Sequence, residues 1–529
     1  MLAPHDRQVH VRRDTVPADR PGARWWVYQR PPPGPAHDEA DESGLRSGPE
    51  AQLRRDTMPL PTSTGSAADA SRALTIVAPE VAPARVPVIA GLTLLIIAIV
   101  CSRLGTVVPG KVLVPLGAMC LTSGLARYDR RLHPDEPWLG RFLLFGVLAK
   151  LTGSYLRYQT LIGSYEGVGD ATRYDGFGRQ FAAAWSGAGA SPDLPNLRET
   201  NFVHWFTGVV YYVFGNDIIT GFVVYGLLAF VGSYLWYRAA ATAVPFLEKR
   251  VFLALVLFAP SIVFWPSSIG KESLMQLGIG AVALATAWLM RRRLIAGLLL
   301  GGAGGWLLWV VRPHLLAMVV MAGGLAYVAG RLGERQRGLG SLLSRPVGVI
   351  VVSLLVAFSI GQGADFLGIE SLSVSSIEAE LDEQTERSAQ GGSEFDNGGN
   401  SLNPINLPGK AVTVLLRPFP WEIETNLQLL ASFESALLAL FMISRLSSLR
   451  TALARCRATP FLLYCWILTG LYAVTFSSFA NFGLLVRQRS LVLPALFVLL
   501  SLDARLAAQR NDDGDDEAAD PNEMHLVVR

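Results

Sequence analysis

Charge is what this chain has little of. Asp, Glu, Lys and Arg make up 17% of its 529 residues, against 51% hydrophobic residues and a mean hydropathy of +0.34. Those values exclude an ordinary soluble composition and override the two or three soluble domains that length alone would suggest. The net charge is only +3 and no basic stripe interleaves with aromatics, which argues against nucleic acid as a partner. The four cysteines, Cys101, Cys120, Cys456 and Cys465, lie in or beside apolar runs without metal-ligand or disulfide spacing, and read as small core hydrophobes. Also missing are a Ser-His-Asp order, a dinucleotide-binding glycine fingerprint, a His/Cys metal constellation and an internal repeat.

What the chain does have is long apolar runs. A spanning helix needs roughly 20 apolar residues, with about 17 as a lower limit. Runs at 86–102, 107–125, 142–162, 217–237, 251–265, 273–290, 294–311, 315–330, 346–361, 427–444, 460–478 and 490–502 meet or approach it. The expected fold is therefore an all-α integral membrane protein of about 12 transmembrane helices. A further run, 202–214, is short and aromatic, and reads as a re-entrant or interfacial helix. Residues 1–85, rich in Arg, Pro, Asp and Ala, read as a disordered cytoplasmic tail rather than a signal peptide. Residues 86–502 form the membrane domain, and 503–529, with the acidic run Asp512, Asp513, Asp515, Asp516 and Glu517, form a polar cytoplasmic tail.

Orientation follows from Lys and Arg near the run ends. Arg127, Arg130 and Arg131, Lys249 and Arg250, Arg291 to Arg293, and the basic stretches 331–345 and 445–457 should share the cytoplasmic side. The chain threads through these loops only if 202–214 does not cross. The long polar connections, about 163–201 and 362–426, then lie outside.

Several charged residues oppose that trend. Lys271, Arg312, Arg417, Arg487 and Arg489 abut apolar runs on the outer side, beside carboxylates. Each alone is as well explained by snorkelling. Together with His314 in Arg312-Pro313-His314, they suit a phosphate-bearing lipid, because arginine forks match phosphate oxygens. Within the run 142–162, Lys150 and Arg157 stand two helical turns apart on one stripe, and charges at such depth face a bundle interior or a water-filled cavity. Arg157, nearer the outer end, joins the phosphate-binding candidates.

The first outer connection carries Gly169-Asp170-Ala171-Thr172-Arg173-Tyr174-Asp175. On a helix, Asp170 and Asp175 diverge by about 140°, so they are not a proton-sharing pair. One could take a proton from an attacking sugar hydroxyl while the other orients or binds metal; capping a helix is the plainer role. Pro266-Ser267-Ser268-Ile269-Gly270-Lys271-Glu272 should break one helix and start another, with Ser267 or Ser268 as cap. In Arg417-Pro418-Phe419-Pro420-Trp421-Glu422, Trp421 either stacks on a sugar or sits in the interfacial aromatic belt. The stretch 378–406 reads as an acidic helix and a glycine-rich loop, either a lid or a linker.

Gly169-Asp170-Ala171-Thr172-Arg173-Tyr174 resembles the Gly-Asp-Ala-x-x-Tyr pattern of some GT-C-type membrane glycosyltransferases. The outer arginines look equally like those of Wzy-type polymerases and O-antigen ligases. Either resemblance implies a polytopic enzyme of the bacterial plasma membrane that builds envelope polysaccharide from a polyprenyl-phosphate-linked sugar. The first of the two implies Asp170 as base and the basic residues as grips on the lipid phosphate. The lack of a tight Asp-x-Asp departs from the simplest GT-C pattern, so no cofactor is assigned and a divalent metal is left open. A transporter or flippase for a lipid-linked glycan is the rival reading, and a structural or regulatory membrane protein the third.

Overall fold

The computed structural model describes residues 87–88, 91–96, 110–333, 383, 385, 388, 395 and 407–509. Among them the chain is helical, with no strand beyond an isolated bridge between Leu247 and Leu502. Helix α1 (Gly110–Leu132) precedes α2 (Leu139–Gly163), the hairpin α3 (Asp170–Trp185) and α4 (Glu199–Phe214), and α5 (Ile218–Ala243). Then come α6 (Lys249–Phe258), α7 (Pro260–Phe264), α8 (Lys271–Met290), α9 (Leu294–Val311) and α10 (Pro313–Gly333). The second part holds α11 (Leu407–Leu416), a 3-10 turn (Pro420–Glu422), α12 (Asn426–Ser444), α13 (Leu446–Arg455), α14 (Pro460–Phe476) and α15 (Phe482–Leu500).

Seven of these are long and apolar enough to cross a membrane, namely α2, α5, α8, α9, most of α10, α12 and α15. The bent pair α13–α14, broken by 115°, makes an eighth if counted as one span. The expected spans at 346–361 and most of 86–102, and the tails 1–85 and 510–529, lie outside the described residues, as does most of the acidic stretch 378–406. Burial is inverted relative to a soluble protein. On α12, Leu429, Phe433, Leu437 and Leu440 point outward while Gln428, Ser432, Glu434 and Ser435 face in; on α9, Ile295 is 79% exposed. Such apolar outer faces belong against lipid, and the protein is a multi-pass membrane protein.

Two expected spans differ in form. The run 251–265 is no single span: Pro260 starts a new short helix, and residues 266–270 cross the bundle interior as buried non-helical chain. Its freed polar groups are met by neighbours. Pro266 has no N–H to offer the carbonyl of Ile262, and the Lys150 ammonium donates to that oxygen instead. Ser273 Oγ serves the Pro266 and Ser268 carbonyls at 2.7 and 3.0 Å, and Gly270, not Ser267 or Ser268, caps α8. The run 490–502 in turn begins at Phe482, so Arg487 and Arg489 lie inside α15 rather than in the loop before it. A helix in the bundle can carry both because buried carboxylates meet them.

Packing fixes which helix ends share a side. Ser154 Oγ donates to the Phe222 carbonyl at 3.1 Å, and a Cβ on Gly146 would touch Phe230, so α2 and α5 run antiparallel. The hairpin α3–α4 leaves from the end of α2 and returns to the start of α5, and so adds no net crossing. Gly232 and Gly280 bring α5 and α8 into backbone contact: a Cβ on Gly280 would lie 2.3 Å from the Gly232 oxygen. At the opposite end, Glu248 pairs with Arg445 at 2.6 Å and its N–H reaches Ser501. Glu136 there accepts from Lys249 at 2.5 Å and Tyr237 at 2.7 Å. Burial pushes the Glu136 carboxyl up, but these hydrogen bonds and the charges of Lys249 and Arg238 hold it below the usual carboxylate range. That end collects the basic loops; the other is a mouth between the ends of α2, α3, α8, α9 and α15.

Candidate functional site

The mouth is built on helix termini. Asp170 opens α3 after Gly169, where a carboxylate suits the helix dipole, and the Thr172 hydroxyl donates back to the Gly167 carbonyl at 2.6 Å. The Asp170 side chain is 63% exposed, and its Oδ2 lies 3.5 Å from Arg487 Nη1. Asp175 faces the other way. It is buried, accepts the Tyr211 hydroxyl and pairs with Arg179 at 2.8 Å, binding α3 to α4. Burial, then the Asp175 charge, pushes the Tyr211 hydroxyl up, which keeps it a donor.

Across from Asp170, Glu272 sits in the first turn of α8 and is almost fully buried. Arg487 reaches it with Nε at 2.6 Å and Nη2 at 2.9 Å, a two-pronged pair of the geometry guanidinium and carboxylate prefer. Tyr174 stands beside them. Burial and the charges of Asp170 and Glu272 push its hydroxyl up to about 12.

Three further cations share this field without an ion pair among the described residues. Arg157 lies over Phe264 at 5.1 Å and Trp265 at 4.9 Å, and interacts electrostatically with Arg487, Glu272 and Asp170. Lys271 interacts with Arg312, Glu199, Glu272 and Asp170. The Nε atoms of Arg157 and Arg312 are buried and bonded to nothing. Buried guanidinium N–H groups left open are costly, so an anion drawn from outside is the natural complement.

Of the residues singled out in the sequence, Asp170, Arg157, Lys271, Arg312 and Arg487 thus gather at the mouth. His314 is buried at the start of α10, its ring 6.4 Å from Phe476. Arg489 belongs to a second, closed centre. It is wholly buried and donates to the carbonyls of Leu415 and Arg417, to Ser435 Oγ at 2.7 Å and to Glu434 at 3.2 Å, while Glu434 also accepts from the Ser261 N–H at 2.8 Å. The Arg489 Nη1 and Nη2 are taken up inside the bundle while its Nε has no partner among the described residues, and the group cross-links α15 to α11 and α12. Arg417 pairs with Glu422 at 2.9 Å and lies over Phe395. Trp421 stacks on Phe419 and is 79% exposed.

Sequence reasoning left out Glu272, Tyr174, Glu199 and Glu434 as site residues. Glu434 had a signal, a carboxylate within an apolar run. Glu272 was visible in its motif, but its partner stands 215 positions away. Among the described residues no group of three or more His, Cys, Asp and Glu side chains could hold a metal ion. No family model matches the chain, and no curated protein and no solved structure matches it.

Proposed function

We propose that this protein transfers or polymerises sugars from a polyprenyl-phosphate-linked donor at the outer face of a bacterial plasma membrane, for cell-envelope polysaccharide. In this reading the whole chain has about twelve spans, both tails are cytoplasmic and the mouth faces outward. The observation that carries it is the set of three cations without an ion pair among the described residues, Arg157, Lys271 and Arg312, beside the exposed carboxylate of Asp170. The cations would hold the lipid phosphate and stabilise the charge that grows on it as it leaves. An acceptor hydroxyl attacks the anomeric carbon, its proton passes to Asp170, and the bond from that carbon to the phosphate oxygen breaks with its electron pair going to the polyprenyl phosphate.

The test is transfer in proteoliposomes from a polyprenyl-phosphate-linked sugar donor, followed by product length. Glycan growth that falls with Lys271→Ala and Arg312→Ala supports the reading. One observation favours the rival, a flippase: the interrupted segment α6–α7–α8, with non-helical chain inside the bundle, is the kind of element transporters place at a substrate site. Movement of the intact lipid-linked glycan between leaflets without new glycosidic bonds would assign the mouth to transport.

A further inference from the structure

At the basic end, opposite the mouth, a cavity of about 590 Å³ opens between the end of α5, the α8–α9 turn, α10 and the corner between α13 and α14. Arg291, Arg292, Arg455 and Arg457 line it, together with apolar residues that include Phe246 and Phe461. No carboxylate lines it among the described residues. Two further features add to its positive character. Arg455 is held in place by donating to the Ala507 carbonyl, and α14 begins at the cavity wall with Pro460 in its first turn, so the positive end of that helix dipole adjoins the same space.

The volume is that of a small-ligand pocket, and four arginines in a lining shared with aromatic and aliphatic residues match an anion attached to an apolar body. Arg291 and Arg457 are exposed, so their charge costs little in the empty state. Basic pockets between membrane helices at the positive end of a bundle suit the phosphate of a lipid headgroup.

We infer that this cavity is a binding site for a phosphate group, separate from the mouth and independent of its reading. The phosphate comes either from an anionic phospholipid of the adjoining leaflet or from a soluble phosphate compound.

Native mass spectrometry of the full-length protein, titrated separately with phosphatidylglycerol, phosphatidylcholine and inorganic pyrophosphate, tests this. The wild type should retain one phosphatidylglycerol or one pyrophosphate in clear preference to phosphatidylcholine. Arg291→Gln with Arg457→Gln should weaken that binding by on the order of tenfold or more. Arg130→Gln with Arg131→Gln removes the same charge from exposed positions at the same end but outside the cavity, and should leave it unchanged. Retention of phosphatidylglycerol alone identifies a lipid site, and retention of pyrophosphate a soluble-phosphate site. Equal loss in both double variants, or equal retention of phosphatidylcholine, would overturn the inference. Binding that appears only after residues 511–529 are removed would also overturn it, giving the cavity to the chain's own acidic run.

Discussion

Arg487 and Glu272 hold α15 to α8 through two hydrogen bonds, at 2.6 and 2.9 Å, and the remaining Nη1 of the same guanidinium points to Asp170 at 3.5 Å. The arginine is therefore a bridge more than a free cation. Its charge is largely answered by Glu272, and what it adds to the mouth is position, holding the start of α3 over the start of α8.

A buried pair of this kind is costly to break from one side. Removing one partner strands the other charge, at roughly 3–5 kcal/mol, whereas replacing both by apolar groups of similar size is often close to neutral. Glu272→Gln and Arg487→Met should each lower the melting temperature of the detergent-solubilised protein. The double variant Glu272→Met, Arg487→Met should recover most of the loss yet bind polyprenyl phosphate poorly. A double variant no more stable than the singles would mean that the pair does not act as a unit.

The Arg489 centre should behave as one network. Glu434→Ala and Arg489→Ala each leave buried donors or acceptors open, so each should destabilise by several kcal/mol, about 3–5 in the range for broken buried pairs. Because the two share partners, their effects should fall short of adding, with a coupling of about 1–3 kcal/mol in a double-mutant cycle of unfolding. Simple additivity would show that Ser261, Ser435 and the two carbonyls hold Arg489 without Glu434.

How much of this was legible beforehand depends on distance along the chain. The bounds of α9 follow from Arg293 and Arg312, which flank an unbroken apolar run, and the structure places the helix at Leu294–Val311 as read. The stripe shared by Lys150 and Arg157 is also real, since both meet α7 and its C-terminal edge, at Ile262 and at Phe264 and Trp265. Helix α15 starts ahead of the apolar run at 490–502 because Arg487 and Arg489 lower local hydropathy, while the carboxylates that permit them come from α8 and α12. Local patterns report cost; the compensation is tertiary. For the same reason Arg489 could not be told from Arg487 in sequence, although one is closed into the bundle and the other opens on the mouth.

His204 gives the α3–α4 hairpin a pH dependence. Its ring is buried and stacked on Phe177 at 4.1 Å. Burial, then the positive charges of Arg173 and Lys271, pushes its pKa down to about 4. The folded state thus holds it neutral while the unfolded chain takes up a proton below the ordinary value of about 6.5. Stability from this group is complete above that value and falls as pH drops toward 4, by on the order of 1–2 kcal/mol at pH 5. Amide hydrogen exchange of α3 and α4, corrected for intrinsic rates, should show easier opening at pH 5 than at pH 7. His204→Phe should flatten that difference, and an unchanged difference would assign it to another group.

The two ends of the bundle should be labelled from opposite sides of the membrane. In a background lacking the native cysteines, Ala190→Cys lies in the α3–α4 connection and Asp135→Cys between α1 and α2, both at exposed positions. A membrane-impermeant maleimide applied to intact cells should modify position 190, and reach position 135 only after permeabilisation. The opposite order would turn the mouth to the cytoplasm, and with it any reaction on an outward-facing lipid-linked sugar.

Asp170 carries the sharpest prediction about chemistry. It is an exposed carboxylate of the mouth, contacted at 3.5 Å by an arginine whose main partner is Glu272, and so left open to a substrate hydroxyl. Asp170→Asn keeps the size of the side chain and its ability to accept a hydrogen bond from Arg487, but cannot take up a proton at neutral pH. Folding should be nearly unchanged, because the contact is half in solvent and exposed pairs contribute about 0–1 kcal/mol. Glycan transfer in proteoliposomes should fall by about 10²–10⁴-fold, the usual cost of losing a general base, with little change in retention of the polyprenyl-linked donor. Asp175→Asn should show the reverse, because its carboxylate is occupied by Tyr211 and Arg179 and ties α3 to α4: lower stability, and transfer per folded molecule close to wild type. If Asp170→Asn turns over like the wild type, the base assignment falls and the cations of the mouth are left as the acting groups, in a polymerase that relies on phosphate departure or in a transporter.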